Sequence, residues 1–446
     1  TEELSCHDWL DIYDELSVDK KVEIFQNRVS QIFDKHCPLR SVRKQAGKPL
    51  LTSTLLQKLK RAKQRQWKKH KRNHKWRHLS ALIIKEQRKL QAKHTSNSVN
   101  NAAKGSSNWL REVKRLTGES TQNSLPPLLH FDDTWQSIDQ FTTNLNNYYL
   151  ETHDDTELNF PELPSSTSTL HVSEFHTYHL LNQINTRKAT HSEDFPSWIS
   201  RNNSHLLAQP ISDIINSMLR SGYFPAMWKK AQITPVNKVR SPKLYKDMRP
   251  IALTFHLAKI SEKIIAHHIK QELPHLDNQY AYTRGLSTTD ALVRFSTDIT
   301  SNLDNKDTIS VRSLLVDFSK AFDRMRPDLA VSKLLSLNID RQLVKICMSF
   351  LSDRKQQVKV QDSISQLRSS KIGVPQGTIL GPLLWNVFVS DLSPLIKHIK
   401  YADDTTLYHT VSKDNSTISE STARHVKVTL HNDPLQNAAS YTAEWC

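Results

Sequence analysis

KYADDTTLYHT, residues 400–410, places two carboxylates, Asp403 and Asp404, side by side among apolar and β-branched residues. The stretch predicts a β-hairpin whose tip carries both acids. Aspartate is a common turn residue, so a hairpin tip alone accounts for the pair without any chemistry. Whether the pair has a chemical role therefore depends on the rest of the sequence.

The strand predicted at SLLVDF, residues 313–318, supplies a third carboxylate, Asp317. A carboxylate at the end of an apolar strand is costly unless it binds something. If this strand and the hairpin are neighbours in one sheet, Asp317, Asp403 and Asp404 converge and repel one another unless cations neutralise them. Carboxylate oxygens suit Mg²⁺, and two such ions about 4 Å apart clamp the attacking and leaving oxygens of a phosphoryl transfer. The three acids thus predict a metal site.

A glycine-rich stretch, GVPQGTILGPLL at 373–384, lies between the two acidic elements and holds three of the chain's eight glycines. Glycine occurs where the backbone turns sharply or approaches a ligand. Such a turn, opening a helix, is suited to form the floor of a nucleotide pocket. A tight strand-to-helix turn also accounts for Gly373 and Gly377, but not for the amide of Gln376 beside them.

Positive charge is concentrated in one segment. The net charge is +16, and Lys58–Lys93 holds fifteen Lys or Arg and one acid, a net +14, which leaves about +2 (16 − 14) for the rest. The segment predicts one or two long helices, and its charge favours a polyanionic partner, most often nucleic acid, over an ordinary solvated helix face. The predicted nucleic-acid-binding residues here are Lys60, Arg61, Arg65, Trp67, Lys68, Lys69 and Arg72. The tryptophan is suited either to stack on bases or to cover the stem of an arginine.

The remaining composition restricts the class of protein. The four cysteines show no paired or zinc-type spacing, which predicts reduced thiols in an intracellular protein of the nucleus, the cytoplasm or both. No stretch of about 18 apolar residues occurs, so no membrane span is expected.

The order of elements predicts an α+β fold in several parts. The expected parts are a helical, strongly basic N-terminal region at 1–115, a linker at 116–170, a helical segment at 171–227 and a mixed domain of strands and helices at 228–446. The linker is predicted because its ends are rich in polar, acidic, Pro, Ser and Thr residues.

Three motifs in order resemble the reverse transcriptases of non-LTR (LINE-type) retrotransposons. They are LLVDFSKAFDRM (314–325), GVPQGTILGPLLWNVFVSDL (373–392) and YADDTTLY (401–408). Upstream, WKKAQITPVNK (228–238), MRPIALTFHLAKISEKII (248–265) and NQYAYTRGLSTTDALV (278–293) resemble the fingers motifs of that family. The resemblance implies the fingers and palm of a right-hand polymerase at 228–446, preceded by a long, mainly helical region.

The family's chemistry is RNA-directed DNA polymerisation by two-metal nucleotidyl transfer. The resemblance implies two Mg²⁺ ions, with Mn²⁺ as the alternative ion. The implied partners are an RNA template, a DNA primer or target, and deoxynucleoside triphosphates. Asp317 and Asp403 would be the main metal ligands and catalytic residues, and Asp404 the supporting third carboxylate.

The resemblance also assigns residues to nucleotide binding. Phe322 matches the aromatic residue that crowds a ribose 2′-OH, and Gln376 with Gly377 would contact the incoming nucleotide and template. Lys238 and Arg249 match the fingers cations that meet the triphosphate. Lys238 fits a plain surface lysine equally well. A further cation, Arg284, fits either a template phosphate or a pairing within the fingers.

Some features depart from the family. No stretch resembles its endonuclease, and 435–446 resembles only the start of the helix before its thumb, so a truncated product is expected. A Gly of the family is replaced by His191 or Ser192. Two other functions stay open. One is a decayed remnant that only binds nucleic acid, and the other is a protein similar to group II intron maturases.

Overall fold

The structure, a computed structural model, describes most of the chain. The described residues are 2–38, 53–71, 73–100, 109, 128–151, 157–163, 170–239, 241–276, 278–318, 320–392, 397–412 and 441–445. The chain divides into two compact units, one formed by Thr1–Pro38 with Pro127–Cys446, and the other by Leu39–Pro126.

The larger unit starts with three helices, α1 (Glu2–Ser5), α2 (Leu10–Asp14) and α3 (Val18–His36). The apolar face of α3 recurs every three or four residues, and Val22, Phe25 and Val29 on that face are buried. This helix therefore belongs to the main core of the larger unit.

The smaller unit consists, in its described part, of helices α4 (Thr54–His70) and α5 (His74–Asn100), which pack on each other. At the start of α4, the hydroxyl oxygen of Ser53 accepts from the amide of Leu56 at 3.0 Å, and the hydroxyl donates to Glu86 at 3.0 Å. The one acid of the basic segment thus tethers the two helices. The prediction of long helices in this segment is confirmed.

Part of the predicted linker is folded, so that prediction is wrong for its middle. Residues 128–150 form a hairpin of β1 (Leu128–Phe131) and β2 (Thr134–Ser137), followed by helix α6 (Ile138–Leu150). Phe141 and Leu145 on α6 are buried in a second hydrophobic cluster with strand residues from beyond residue 230. The linker was predicted from the polar composition of its two ends, and the spacing of buried apolar residues on α6 was overlooked. Its stretches 116–127, 152–156 and 164–169 lie outside the described residues.

The rest of the larger unit alternates helices and strands. These elements are α7 (Glu174–Asn182), α8 (Ser197–Asn202), α9 (Ser204–Ser221), β3 (Lys230–Asn237), β4 (Met248–Leu253), α10 (His256–Glu272), α11 (Thr288–Leu303), β5 (Thr308–Phe318), α12 (Ala321–Arg324), α13 (Pro327–Ser336), α14 (Arg341–Leu351), β6 (Arg354–Val360), β7 (Ser363–Ile364), β8 (Arg368–Ser370), α15 (Leu380–Phe388), β9 (Lys397–Tyr401), β10 (Asp404–Ser412) and β11 (Tyr441–Trp445).

Two sheets organise this unit. The first has the order β11-β5-β10-β9, and all its described pairs are antiparallel. The second has the order β4-β3-β6-β7, with β8 also on β6, and only its β3–β6 pair is parallel. Largely antiparallel sheets packed with helices make the fold α+β, as predicted.

The main core lies between one face of the first sheet and the helices. Leu314, Val316 and Phe318 alternate into it from β5, together with Leu407 from β10 and helices including α10, α14 and α15. Over its described residues the protein has no helix with the length and apolar character that a membrane span requires.

Candidate active site

Strands β5 and β10 bring two of the predicted acids together. Asp404 is the register partner of Asp317 in this antiparallel pair, and directly opposed residues share a face with Cβ atoms about 5 Å apart. Both side chains are exposed. Strand β5 is not buried on both faces as its apolar run suggested, because Leu315 is 48% exposed on the same face as Asp317. Because Asp317 lies on an exposed face, burial gives no reason of its own to expect a bound cation there.

Asp403 lies in the turn between β9 and β10. The preceding Ala402 has a φ of 59°, in the left-handed region. The carbonyl of Ala402 accepts from the indole N–H of Trp385 at 2.9 Å and from the side-chain Nε2 of Gln279 at 3.4 Å. The backbone N–H of Ala402 donates to Gln279 Oε1 at 3.1 Å. Gln279 is buried. The strained turn before the acids is thus held by two side chains.

The three acids influence one another electrostatically. Although Asp404 is exposed, its partial burial raises the pKa of its carboxyl group, and the neighbouring charges of Asp403 and Asp317 raise it further. Each ionised neighbour makes it harder for Asp404 to carry its own charge. A cation placed among them would remove this penalty. No group of three or more His, Cys, Asp or Glu placed to hold a metal ion occurs within the described residues, so the predicted metal site stays a prediction.

A cavity of about 550 Å³ opens beside the acids. Among its lining residues are two of the predicted acids, Asp317 and Asp403, and four of the five residues predicted to bind the nucleotide, Phe322, Gln376, Arg249 and Lys238. Asp404 and Gly377 do not line it. Most of the predicted site, drawn from five of the quoted motifs, therefore lines one cavity.

The two predicted cations come from the β3–β4 hairpin. Arg249 is paired with Val236 across the hairpin, and the amide of Lys238 donates to the carbonyl of Asp247 at 2.8 Å. Both side chains are exposed, and neither forms a salt bridge within the described part of the chain. The described residues between them belong to the connection of β3 and β4, so both cations are carried by one hairpin.

Phe322 lies on the short helix α12, one turn beyond β5. Its half-buried ring packs on Trp385 with the ring centroids 5.4 Å apart. Its carbonyl accepts from the amide of Val374 at 2.8 Å. The aromatic wall of the cavity is thus fixed both by the core and by the glycine-rich turn.

The glycine-rich turn passes too close to its neighbours for side chains. A Cβ on Gly373, at a φ of +78°, would lie 2.6 Å from the carbonyl oxygen of Asp323, and one on Gly377, at +115°, would lie 2.8 Å from that of Ala252. The Gln376 carbonyl accepts from the Ala252 amide at 2.7 Å. Glycine is therefore required by close backbone approach, and the structure places Gly377 outside the cavity lining.

Gln376 itself is tied to an acid that sequence analysis missed. Its Nε2 donates to Asp323 Oδ1 at 3.1 Å. Burial raises the pKa of Asp323, while the hydrogen bond from Gln376 and the charges of Lys320 and Lys238 lower it. The amide is thus oriented by a buried carboxyl group at the edge of the cavity.

Residues 236–436, which carry most of the site, resemble known proteins. Residues 236–436 match the family described as reverse transcriptase (RNA-dependent DNA polymerase). The chain is 33% identical over 230 residues to a protein named a probable RNA-directed DNA polymerase from transposon BS, and 30% identical over 215 residues to the RNA-directed DNA polymerase from mobile element jockey, both of Drosophila melanogaster. Residues 236–436 are therefore similar to a reverse transcriptase domain. The predicted resemblance to non-LTR retrotransposon reverse transcriptases is confirmed.

The matches cover part of each protein. The alignments span 46% and 47% of this chain but only 25% and 23% of the two relatives. The chain thus spans about a quarter of the length of these relatives. Among solved structures, apo telomerase from Candida tropicalis, truncated from its C-terminal domain, aligns with 49% of this chain and 50% of that chain at 14% identity and a TM-score of 0.37, a likeness too weak to support an argument.

The predicted nucleic-acid-binding residues of the smaller unit lie on α4, and they are exposed wherever described. They are Lys60, Arg61, Arg65, Trp67, Lys68 and Lys69. Trp67 is 45% exposed and lies 5.8 Å from the ring of Trp76, over which Lys63 places its ammonium at 4.4 Å. Arg72 lies outside the described residues. This face of α4 combines cations with accessible aromatic surface.

Arg284, the remaining predicted residue, lies in the larger unit. It is exposed in the turn before α11. It forms no salt bridge within the described part of the chain, which is compatible with a contact to a template phosphate.

The cavity also has lining residues that sequence analysis did not single out. Lys320, Lys246, Tyr148 and Tyr149 line the cavity with the predicted set. Lys320 lies two residues before Phe322 in the same motif, so its position was a usable signal. The two tyrosines lie on α6, within the stretch predicted as a linker, and no sequence signal placed them here.

Proposed function

We propose that this chain uses the cavity beside β5 and β10 to add deoxynucleotides to a DNA strand on an RNA template. The observation that carries the proposal is a cavity that brings acids and cations together. Asp317, the register partner of Asp404, lines this cavity with Asp403 from the adjacent turn. The cations Lys238 and Arg249 line it too. Acids that bind cations and cations that bind phosphate are the two requirements of nucleotidyl transfer. The names of the matched relatives point to the same activity.

In this proposal the first sheet is the palm and the second sheet is the fingers of a right-hand polymerase. Strands β5 and β10 would carry the acids of the palm. Strands β3 and β4 would carry the triphosphate-binding cations of the fingers. The proposal is supported by the cavity, since residues of both sheets line it.

The carboxylates suit divalent cations. Asp317 and Asp403 would hold two Mg²⁺ ions with Asp404 in support, and Mn²⁺ suits the same oxygen ligands. The fit rests on the donor type and on the pKa of Asp404, which is raised first by burial and then by the charges of Asp403 and Asp317. When bound, such ions stabilise the attacking and leaving oxygens of the transfer.

The chain's own residues would bind and orient the nucleotide. Lys238 and Arg249, which have no salt-bridge partner in the described part, would bind the triphosphate. Phe322 would meet the sugar, because its ring is held at the cavity wall by Trp385. Gln376 would contact the nucleotide and template while Asp323 fixes its amide.

The smaller unit would bind the RNA template or the DNA strand. Exposed cations on one helix neutralise phosphates, and an exposed tryptophan among them offers a stacking surface for a base. A second function, nucleic-acid binding without catalysis, is favoured by this same surface. The two functions differ in whether the acids of the larger unit matter.

The deciding experiment is primer extension by the full chain on poly(rA) with an oligo(dT) primer, deoxythymidine triphosphate and Mg²⁺. We expect incorporation by the wild type and a loss of at least about 100-fold in D317N and in D403N, the order found for loss of a preorganised electrostatic group. The control is D307N, since Asp307 is an exposed turn residue just before β5. Template binding without incorporation, unchanged in all three variants, would support the binding-only function.

A further inference from the structure

Lys320 occupies an unusual position in the cavity. It follows β5 and precedes α12 with φ 54° and ψ 42°, in the left-handed region, where its carbonyl accepts from the amides of Asp323 and Arg324 at 3.0 Å each. Residues other than glycine rarely adopt this conformation, and where they do, it often marks a functional site. The side chain of Lys320 lines the cavity with the acids and the cations described above.

The ammonium of Lys320 rests on an aromatic ring rather than on a carboxylate. Its Nζ lies 4.1 Å from the ring centroid of Tyr148, and it forms no salt bridge within the described residues. Burial lowers the pKa of Lys320, and the charge of Asp323 partly offsets this. A partly buried cation that rests on a ring face, with no salt bridge, keeps its N–H donors available for an anion.

Tyr148 is well placed to hold that cation. It is half-buried on α6, and its ring lies 5.8 Å from that of Tyr245, next to the β3–β4 hairpin. Helix α6 is itself fixed by Phe141 and Leu145 in the second hydrophobic cluster. The position of the ring is therefore set by the packing of α6 on the second sheet.

We infer that Lys320 is a phosphate-binding residue for the incoming nucleotide, and that Tyr148 is the positioning residue that holds its ammonium in the cavity. This inference rests on the proposed polymerase function. Lys238 and Arg249 line the same cavity, so three cations are available to one polyanion. A charge-assisted hydrogen bond to phosphate is stronger than a partly exposed cation–π contact, so the ammonium can pass from the ring to the phosphate.

The inference extends the nucleotide site to a segment outside the matched family region. Residues 236–436 contain Lys320 but not Tyr148. Helix α6 would thus complete the nucleotide pocket of the domain from outside it. The substrate class is a nucleotide with a polyphosphate chain, because a nucleoside alone gives Lys320 no anion to bind.

The test uses the full chain bound to a primer–template that ends in a dideoxynucleotide, so that binding is measured without chemistry. Isothermal titration with deoxycytidine triphosphate opposite a templating G, in the presence of Mg²⁺, gives the dissociation constant. Deoxycytidine provides the phosphate-free comparison. The variants are K320Q, K320R, Y148L and Y148F, with K306Q and W135A as controls, since Lys306 and Trp135 are exposed and do not line the cavity.

We expect K320Q to weaken triphosphate binding by 10- to 100-fold, roughly the effect of losing one charged hydrogen bond, without changing deoxycytidine binding. K320R should retain most of the affinity. Y148L should weaken triphosphate binding by several-fold, while Y148F, which keeps the ring face, should not. Wild-type binding should also weaken as the pH rises through the lowered pKa of Lys320, and this decline should be smaller in K320R because a guanidinium stays charged.

The outcomes separate the inference from the function on which it rests. If the wild type binds the triphosphate and K320Q binds it equally well, the role of Lys320 is wrong and the proposed function stands. If Y148L and Y148F behave alike, the positioning role of Tyr148 is wrong. If the wild type shows no template-dependent triphosphate binding, the proposed function itself fails. If K320Q loses its cooperative unfolding transition, the comparison of Y148L with Y148F and the pH dependence of K320R still test the phosphate-binding role of Lys320.

Discussion

The side chain of Gln279 contacts both backbone polar atoms of Ala402, the residue immediately before Asp403. Its Oε1 accepts from the Ala402 amide at 3.1 Å and its Nε2 donates to the Ala402 carbonyl at 3.4 Å. The side-chain amide of Gln279 thus provides hydrogen-bond partners for the backbone N–H and C=O of the turn, as a neighbouring strand does within a sheet. The position of Asp403 therefore depends on a residue more than 120 positions away in sequence.

We expect Q279A to destabilise the protein and to reduce activity. Removing the side-chain amide leaves the partly buried backbone groups of Ala402 with fewer hydrogen bonds, at a cost of about 1–3 kcal/mol. Denaturant unfolding gives the stability change, and primer extension gives the change in kcat. The control is Q271A, because Gln271 is exposed on α10. An unfolding free energy equal to that of the wild type would show that the turn does not need this contact.

Gly373 provides a test of backbone approach, with a matched control in the same chain. G373A combines a positive φ of +78° with a contact of 2.6 Å to the Asp323 carbonyl, whereas G285A has a φ of +82° and no heavy atom within 4 Å. A left-handed conformation costs either alanine about 1–2 kcal/mol. We expect G373A to cost about 1–3 kcal/mol more, as overpacking does, and to reduce activity because Phe322 shares this turn. Equal unfolding free energies for the two variants would rule out the close approach.

The pH dependence of stability follows from Asp404. Its folded-state pKa is raised by burial and by the charges of Asp403 and Asp317. At pH values between the ordinary carboxyl pKa of the unfolded chain and this raised pKa, the folded protein therefore binds more protons than the unfolded chain. Stability is therefore lost as pH rises through that window. In a chelating buffer we expect D404N to have a higher Tm than the wild type at neutral pH, with the difference shrinking towards pH 4. Mg²⁺ should raise the Tm of the wild type more than that of D404N.

The converse result would weaken the assignment of a shared acidic site. If D404N unfolds at the same temperature as the wild type at every pH, the three carboxylates do not interact. D307N serves as the control, since Asp307 is an exposed acid outside this cluster.

Phe322 is expected to select the sugar of the nucleotide. F322V removes ring surface from the cavity wall, so a ribose 2′-OH should be accommodated. The ratio of ribonucleotide to deoxynucleotide kcat/KM should rise by about 10- to 200-fold, the range found for small steric differences in a pocket. F322Y is the matched control because it keeps the ring against Trp385. An unchanged ratio in F322V would show that the ring does not meet the sugar.

Sequence analysis predicted the acids of this site better than their surroundings. The apolar and β-branched residues around the acids predicted Asp317 at a strand end and Asp403 and Asp404 at a hairpin tip, because acids are conspicuous within such runs. The register that pairs Asp317 with Asp404 is a property of the folded sheet, and no local pattern reports it. The same limit applies to Gln279, because the motif at 278–293 that contains it gave no sign of its contact with Ala402.

Helix α6 shows a different limit. Its flanks are rich in Pro, Ser, Thr and acids, and this composition led to the prediction of a linker. The apolar residues Phe141 and Leu145, spaced as on one face of a helix, were too short a signal to change it. Thirteen residues of moderate amphipathicity are stable here because they pack on the second sheet, which is a tertiary effect. Tyr148 was missed for this reason, whereas Lys320 was missed although its motif was recognised.

The basic surface of α4 yields the last prediction, which separates charge from stacking. If this surface binds single-stranded nucleic acid, each phosphate it neutralises contributes about −0.7 to the slope of log K against log salt. The smaller unit as a whole should give a slope of roughly −4 to −6. Replacing Lys60, Arg61, Arg65, Lys68 and Lys69 with Gln should therefore flatten the slope by about 3 to 4. W67A should weaken binding by about 1–3 kcal/mol per stacked base and leave the slope unchanged.

The control for this experiment replaces exposed cations of the larger unit, Arg201, Lys263, Lys270 and Lys306, with Gln. Fluorescence anisotropy of a labelled single-stranded RNA, measured from low to moderate salt, gives both the affinity and the slope. If the two multiple variants lose the same slope, the attraction is a general effect of net charge, because surface cations anywhere would serve equally. If only the α4 variant flattens the slope while W67A lowers affinity at every salt concentration, the helix both neutralises phosphates and stacks a base. A wild-type slope near zero would exclude an electrostatic role for α4 altogether.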